Sequence, residues 1–147
     1  MTSLISTLFF LMASFSPPSH MDNPTTPTLK PCPDSPNCVC TQESRSSKKM
    51  ASLNFTDSLE NPMEQLEKVI NSYKRTTLVE KTDDYLHYEF KTALGGFIDD
   101  VEFVVDRQSK EIHFRSASRV GYSDLGKNRR RMKGIQKKWK KILKTPF

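Results

Sequence analysis

Three closely spaced segments of the chain alternate between apolar and polar residues, and this alternation constrains the fold more than any other feature. The segments are Tyr85–Lys91, Asp100–Asp106 and Lys110–Arg115. A period of two is typical of strands with one buried and one exposed face, although the alternation slips once, at Val104. The intervening Gly95-Gly96 pair and the Arg107–Lys110 stretch are typical of hairpin loops. The pattern predicts an antiparallel meander whose apolar face carries Leu86, Tyr88, Phe90, Val101, Phe103, Val105, Ile112 and Phe114.

Two segments have the spacing of amphipathic helices. The first begins at Asn61-Pro62, where Asn61 is expected to cap the helix and Glu64 to reach back to the cap. Its apolar stripe consists of Leu66, Val69, Ile70 and Tyr73. The second helix is predicted to begin near Ser123 or Asp124. Its apolar stripe consists of Met132, Ile135, Trp139 and Ile142.

Two further short segments complete the predicted sheet. Thr77–Lys81 is rich in β-branched residues, and Ala51–Phe55 is a candidate edge strand. The predicted fold class is therefore α+β: an antiparallel β-meander of about four to five strands with two helices packed on one face, in two layers. A length of 147 residues suits one domain. We place this domain at residues 31–144, after a leader and flexible linker in residues 1–30.

The positive charge of the chain is concentrated at its end. Ten of the 23 Lys and Arg residues, and none of the 17 Asp and Glu residues, lie in Lys127–Phe147. The remaining residues carry 13 basic and 17 acidic side chains, so the net charge of +6 comes from this tail. A solvated helix face explains such a tail. The alternative is that Arg129–Lys144 docks to nucleic acid or to an anionic membrane surface.

The first residues leave two interpretations open. Leu4–Ala13 is largely apolar and has the length of a secretory signal core, but no basic residue precedes it. Alternatively, Met21 is the true start. The protein is predicted to be exported or associated with the cell envelope if the leader is genuine, and cytoplasmic otherwise.

Three cysteines lie close together at Cys32, Cys38 and Cys40. In an exported protein, Cys32 and Cys38 are candidates for a disulfide bond. The alternatives are free thiols in a reducing compartment, or soft metal ligands that lack a fourth partner nearby. We predict no metal site and no cofactor.

The polar face of the predicted meander carries candidate functional residues. If Lys91 lies opposite Asp100 and Asp106 opposite Glu111, facing parity places Glu89, Glu102 and Arg115 in one row and His87 and His113 on either side of Val104. Paired carboxylates with histidines nearby are the groups of a hydrolase-like enzyme. A solvent-facing ion network is the simpler interpretation, and a metal site at His87, His113 and Glu89 is weaker still.

The stretch from Arg119 to Arg129 connects the last strand to the last helix. Its two glycines allow close approach of the backbone to a ligand, and the two arginines offer forked donors near a helix start. These features favour an anion such as phosphate, sulfate or carboxylate. Asp124 supports the opposite interpretation, because its carboxylate would cap the helix or pair with Arg119.

Three ordered blocks of the sequence, Cys32–Val39, Asp99–Phe103 and Ile112–Arg131, resemble the domain of unknown function 1499 family (DUF1499). The resemblance extends over about Lys30 to Trp139. It implies an export or membrane setting and no defined reaction, so no catalytic residue is carried over. It also implies that the loop residues and the Glu102–Arg115 pair form one polar site, whereas Cys40 departs from the family pattern, in which serine is common.

The sequence thus predicts a small binding module of the cell envelope rather than an enzyme, with an anionic ligand held by the polar sheet face and the loop. The oligomeric state is left open. The predicted ligand-binding residues are Glu102, Arg115, Arg119, Tyr122, Asp124, Asn128 and Arg129.

Overall fold

A computed structural model describes residues 27–144 of the chain. The predicted leader and most of the predicted linker lie outside these residues. The elements follow one another as β1 (Cys38–Cys40), β2 (Leu53–Asn54), α1 (Pro62–Asn71), β3 (Thr76–Lys81), β4 (Tyr85–Lys91), β5 (Ile98–Asp106), β6 (Glu111–Ser118) and α2 (Lys127–Ile142).

The six strands form one sheet in the order β1-β6-β5-β4-β3, and β2 pairs with the same edge of β6 as β1 does. Every pairing is antiparallel. The predicted α+β class is confirmed. The sheet has six strands rather than four to five, because β1 was not predicted. Prolines precede this short strand and polar residues follow it. The candidate edge strand Ala51–Phe55 contributes only the two residues of β2.

Both helices cover the same face of the sheet, as predicted. Leu66 and Ile70 of α1 and Met132 and Ile135 of α2 are fully buried against the apolar strand residues in one core. Trp139 is 1% exposed, and its indole N–H donates to the backbone oxygen of Asn54 at 2.8 Å. A buried indole normally has such a partner. The apolar stripes thus belong to the core, and the opposite face, here called the outer sheet face, carries the polar residues of β4, β5 and β6.

The register of the β5–β6 hairpin is the predicted one, with Asp106 opposite Glu111 and Glu102 opposite Arg115. The predicted register of the β4–β5 hairpin is wrong by two residues, because Lys91 lies opposite Ile98 rather than Asp100. The loop between these strands is tighter than expected: Thr92 donates its N–H to Phe97 at 2.8 Å, and Gly95 and Gly96 both have positive φ. Facing parity is preserved, but the partners change.

Helix α1 begins at Asn61-Pro62 as predicted, but its cap and the start of α2 differ from the prediction. Asn61 is in the left-handed region, and its side chain makes no capping hydrogen bond. Helix α2 begins at Lys127 rather than near Ser123 or Asp124, because Leu125 and Gly126 have φ values of 52° and 74°. Residues in the left-handed region cannot belong to a right-handed helix.

Candidate functional site

The middle of the outer sheet face holds a small ion network around Glu102. The Tyr85 hydroxyl donates to one carboxylate oxygen at 2.9 Å, and the Arg115 guanidinium donates to the other at 3.1 Å. Burial and the neighbouring carboxylate raise the pKa of Tyr85. The Nε of Arg115 is buried without a hydrogen-bond partner among the described residues. Glu102 therefore has both of its oxygens occupied by groups of the protein itself.

A second network lies beside the first, around Asp100. His87 contacts this carboxylate at 2.9 Å, and Arg119 donates to it through Nε and one terminal nitrogen. The same arginine also donates to Glu89 at 2.7 Å. Burial by itself would raise the pKa of Asp100, but the hydrogen bonds from Arg119 and His87 outweigh burial and hold it below its ordinary value.

These networks change two of the predicted arrangements. Glu89 lies opposite Asp100, not Glu102, so the predicted row of Glu89, Glu102 and Arg115 does not exist. His113 lies opposite Val104 as predicted, but Tyr85 and not His87 lies on the other side of Val104. Among residues 27–144, no group of three or more His, Cys, Asp or Glu side chains is placed to hold a metal ion.

The start of α2 is closed by Asp124. Its carboxylate accepts from the backbone N–H of Gly126 at 2.8 Å and of Asn128 at 2.7 Å. It thus occupies the helix start, one of the two structural roles expected of it, and the expected pairing with Arg119 does not form because Arg119 pairs with Asp100 and Glu89. A capping carboxylate satisfies the free N–H groups that would otherwise bind an anion.

Asn128 is fully buried and joins the loop to the rest of the domain. Its amide nitrogen donates to the backbone oxygen of Asn37, to the Ser118 hydroxyl and to Asp124, at 2.8 to 3.0 Å. Its amide oxygen accepts from the Ser116 hydroxyl at 2.6 Å. A buried amide with this many partners fixes local geometry and has no capacity left for a ligand.

The seven predicted ligand-binding residues are therefore divided among separate places. Glu102, Arg115 and Arg119 lie on the outer sheet face, whereas Asp124 and Asn128 close the start of α2. Arg129 lies in a third place, where its guanidinium donates to the backbone oxygens of Ser47 and Lys49. Tyr122 is 76% exposed at the loop tip.

A buried ion pair links α2 to the sheet. Arg131 donates to the carboxylate of Asp99, which is 1% exposed, and its guanidinium also lies 4.8 Å from the centre of the Phe90 ring. A further nitrogen donates to the amide oxygen of Asn128 at 2.7 Å. Asp99 is thus neutralised inside the protein and offers no negative charge at the surface.

A cavity of 540 Å³ lies between the start of α2, the α1–β3 turn and the β4–β5 loop, and sequence reasoning did not bring its lining residues together. We call it the basic cavity, because six of its lining residues are cations and none is acidic. The cations are Lys74, Arg75, Lys91, Lys127, Arg130 and Arg131. The adjacent Lys74-Arg75 pair is the only sequence signal at the α1–β3 turn, and only the tertiary fold brings it to Lys127.

Most of these cations have no counter-charge. Within residues 27–144, Lys74, Arg75, Lys91 and Lys127 have no carboxylate within ion-pair distance, and Arg130 donates to the backbone oxygen of Leu125. Lys127 and Arg130 also line an adjoining cavity of 250 Å³ that contains Asp99 and Asp124. Because those two carboxylates are already engaged, the basic cavity keeps its positive charge.

The predicted disulfide is present between Cys32 and Cys38, whose Cα atoms are 5.7 Å apart. The Lys48 ammonium, on a residue that is 6% exposed, donates to the backbone oxygens of Pro33, Asp34 and Ser35 within the disulfide loop. Cys40 is free and buried, and burial raises the pKa of its thiol, which keeps it in the unreactive form.

The disulfide loop also contacts the loop that precedes α2. Asn37, inside the disulfide loop, donates to the backbone oxygen of Gly121 at 2.5 Å, and its own backbone oxygen accepts from Asn128. The disulfide therefore holds in place a residue that supports residues 119–126.

Comparison with known proteins identifies the family and nothing finer. Residues 28–138 match the family described as Protein of unknown function (DUF1499), and the chain belongs to this family. No curated protein and no solved structure matches the chain. Within the described residues, neither helix has the length and apolar character needed to cross a membrane.

Proposed function

We propose that this protein is a binding module for an anionic ligand with a phosphate-like group, and that the ligand occupies the basic cavity. The observation that carries the proposal is the set of four cations, Lys74, Arg75, Lys91 and Lys127, which face one cavity without a carboxylate partner among the described residues. Like charges held close together repel one another and destabilise the fold. A bound anion would offset that repulsion.

The chemistry of the lining suits phosphate. Guanidinium groups such as that of Arg75 form two parallel hydrogen bonds to a phosphate, and lysine ammonium groups add charge without fixed geometry. The volume of 540 Å³ lies within the range of about 300 to 1,000 Å³ that is typical of small-molecule sites. Phe90 and Leu94 supply apolar wall, so a phosphate ester fits as well as a free ion.

The outer sheet face, where the sequence predicts the ligand, is a weaker candidate for an anion site than the basic cavity. Arg119 is shared between two carboxylates, and Arg115 is paired with Glu102. An anion would have to displace these carboxylates or bind beside them against repulsion. The paired acids, with both oxygens of Glu102 engaged, likewise do not favour the hydrolase-like alternative.

The lysines further along α2 are the main competitors for an anion. Lys133, Lys137 and Lys140 line a cavity of 420 Å³ together with two other residues of α2 and with Lys144, which follows the helix. All its cations are lysines of α2 and the residues directly after it, without guanidinium groups or a second wall. The basic cavity, in contrast, draws residues from the α1–β3 turn, from the end of β4 with the loop that follows it, and from α2, so a ligand there meets cations from three parts of the fold.

A thermal-shift titration with inorganic pyrophosphate tests the proposal. At about 100 times its dissociation constant, a ligand stabilises the fold by about 2.7 kcal/mol, which corresponds to a shift of several degrees. The Lys127→Ala/Arg130→Ala variant should lose this shift. The matched control Lys137→Ala/Lys140→Ala removes the same charge from exposed positions of the same helix and should keep it.

The outcomes separate the two basic surfaces. Loss of the shift in the control variant alone would overturn the proposal in favour of the α2 lysines. The absence of any shift in the wild-type protein with pyrophosphate, inorganic phosphate and glycerol 3-phosphate would also overturn it.

A further inference from the structure

Exposed apolar side chains are concentrated at one end of the molecule. Of the eight large apolar residues that are exposed in the described part of the chain, five lie in the β4–β5 loop (residues 92–97) and the β6–α2 loop (residues 119–126). They are Leu94, Phe97, Val120, Tyr122 and Leu125, with exposed fractions of 87%, 55%, 58%, 76% and 83%. We call the end formed by these two loops the loop end.

The loop end and the basic cavity are one continuous surface. Leu94 lines the basic cavity, whereas Phe97, Val120 and Leu125 line the adjoining cavity. Lys127 and Arg130 line both cavities, so the apolar loop tips stand around a shared group of cations. Asp124, the acidic residue of these two loops, is engaged in capping α2.

We propose that the loop end binds to an anionic lipid bilayer. Its apolar side chains insert at the membrane interface, and the cations of the basic cavity contact the headgroup phosphates. This inference rests on the proposed function, because it uses the same cations. Apolar side chains beside Lys and Arg are the composition of interfacial membrane contacts, where burial and attraction to anionic lipids add.

The arrangement fits a lipid surface better than other partners. Protein interfaces have a central apolar patch with a polar rim, whereas here the apolar residues stand on two loop tips with the cations between them. Single-stranded nucleic acids stack bases on aromatic rings, but three of the five exposed residues are aliphatic. The apolar stripe of α2 cannot insert, because Met132, Ile135 and Trp139 are buried in the core.

The glycines of the β4–β5 loop support this arrangement of the tip. Gly95 has a φ of 77°, and a Cβ at this position would lie 2.5 Å from the Phe97 ring. Only glycine allows the backbone to fold this closely over Phe97. The Phe97 ring therefore lies against the backbone of the turn with about half of its surface exposed, and Leu94 projects from the loop with 87% exposed.

Vesicle cosedimentation of the full chain tests the inference. Vesicles of phosphatidylcholine alone should bind weakly, and vesicles with two parts phosphatidylcholine to one part phosphatidylglycerol should bind strongly. The Leu94→Ser/Leu125→Ser variant should partition about tenfold less onto the anionic vesicles, since two exposed leucines lose their insertion. The control Leu78→Ser/Val79→Ser removes two exposed apolar residues from β3 and should bind like the wild type.

A second variant pair connects this test with the pyrophosphate titration. The Lys127→Ala/Arg130→Ala variant should lose binding to anionic vesicles, whereas Lys137→Ala/Lys140→Ala should retain most of it. Unchanged vesicle binding in Leu94→Ser/Leu125→Ser or in Lys127→Ala/Arg130→Ala would overturn the inference, provided that the variant keeps the melting temperature of the wild type. If pyrophosphate stabilises the protein but anionic vesicles do not bind it, this inference fails and the proposed function stands; if neither binds, both fail.

Discussion

The outer sheet face and the basic cavity both contain arginines but differ in whether acids balance their charge. On the outer face, Arg115 and Arg119 each contact a carboxylate that a neighbouring strand presents across the sheet. In the basic cavity, Lys74, Lys91 and Lys127 come from elements distant in sequence and meet without an acid. Strand register thus pairs charges within the protein, whereas a cavity assembled from several elements can leave charge available for a ligand.

The largest effect is expected at the buried ion pair between Asp99 and Arg131, whose guanidinium lines the basic cavity. Asp99→Ala would leave the buried Arg131 guanidinium without its carboxylate, and breaking a buried pair from one side costs about 3 to 5 kcal/mol. Urea denaturation should show this loss in the free energy of unfolding. Replacing both partners, as Asp99→Leu with Arg131→Met, should recover most of it. A loss well below 1 kcal/mol for Asp99→Ala would contradict the role given to this pair.

The disulfide should have the next largest effect, because it holds the loop whose Asn37 supports residues 119–126. Closing a loop of this size removes unfolded-state entropy worth about 2 kcal/mol. The Cys32→Ser/Cys38→Ser variant should unfold at correspondingly lower urea concentration. Dithiothreitol should destabilise the wild type to a similar degree and leave the variant unchanged. A further loss in the variant on reduction would show that the reductant acts elsewhere.

A smaller effect is expected on the outer sheet face, where the contribution of Asp100 to the free energy of unfolding depends on pH. The pKa of Asp100 in the folded protein lies below its ordinary value of 3.8, so its carboxylate stabilises the fold above that pH. This contribution is lost as the pH falls through the lowered pKa. The free energy of unfolding should therefore fall less steeply below about pH 4 for Asp100→Asn than for the wild type. Equal slopes for the two proteins would argue that the Arg119 and His87 contacts to Asp100 are not stabilising.

The part of the architecture that depends on periodicity could be predicted. Alternation placed Leu86, Phe103 and Phe114 on the buried face, and helical spacing placed Leu66 and Trp139 in the core. Parity also put the polar residues on one face. These features follow from local sequence, because the spacing of apolar residues repeats every two residues in a strand and every 3.6 residues in a helix.

The register of the β4–β5 hairpin and the start of α2 could not be predicted, because both depend on loop conformation. Thr92 and Phe97 close the loop earlier than expected, which moves Glu89 from Glu102 to Asp100. Leu125 adopts positive φ, which is uncommon for a leucine and delays the helix to Lys127. The basic cavity was missed for a different reason, since it requires knowing that the α1–β3 turn and the end of β4 meet the start of α2.

Calorimetric titration of pyrophosphate into three proteins tests most directly whether the anion site is the basic cavity and not the outer sheet face. We predict that Arg119→Ala binds pyrophosphate within about twofold of the wild type, whereas Lys127→Ala/Arg130→Ala binds at least about tenfold more weakly, because charge-assisted hydrogen bonds contribute most of the affinity. Loss of binding in Arg119→Ala, with binding preserved in the cavity variant, would overturn the proposed site and place the ligand on the outer sheet face.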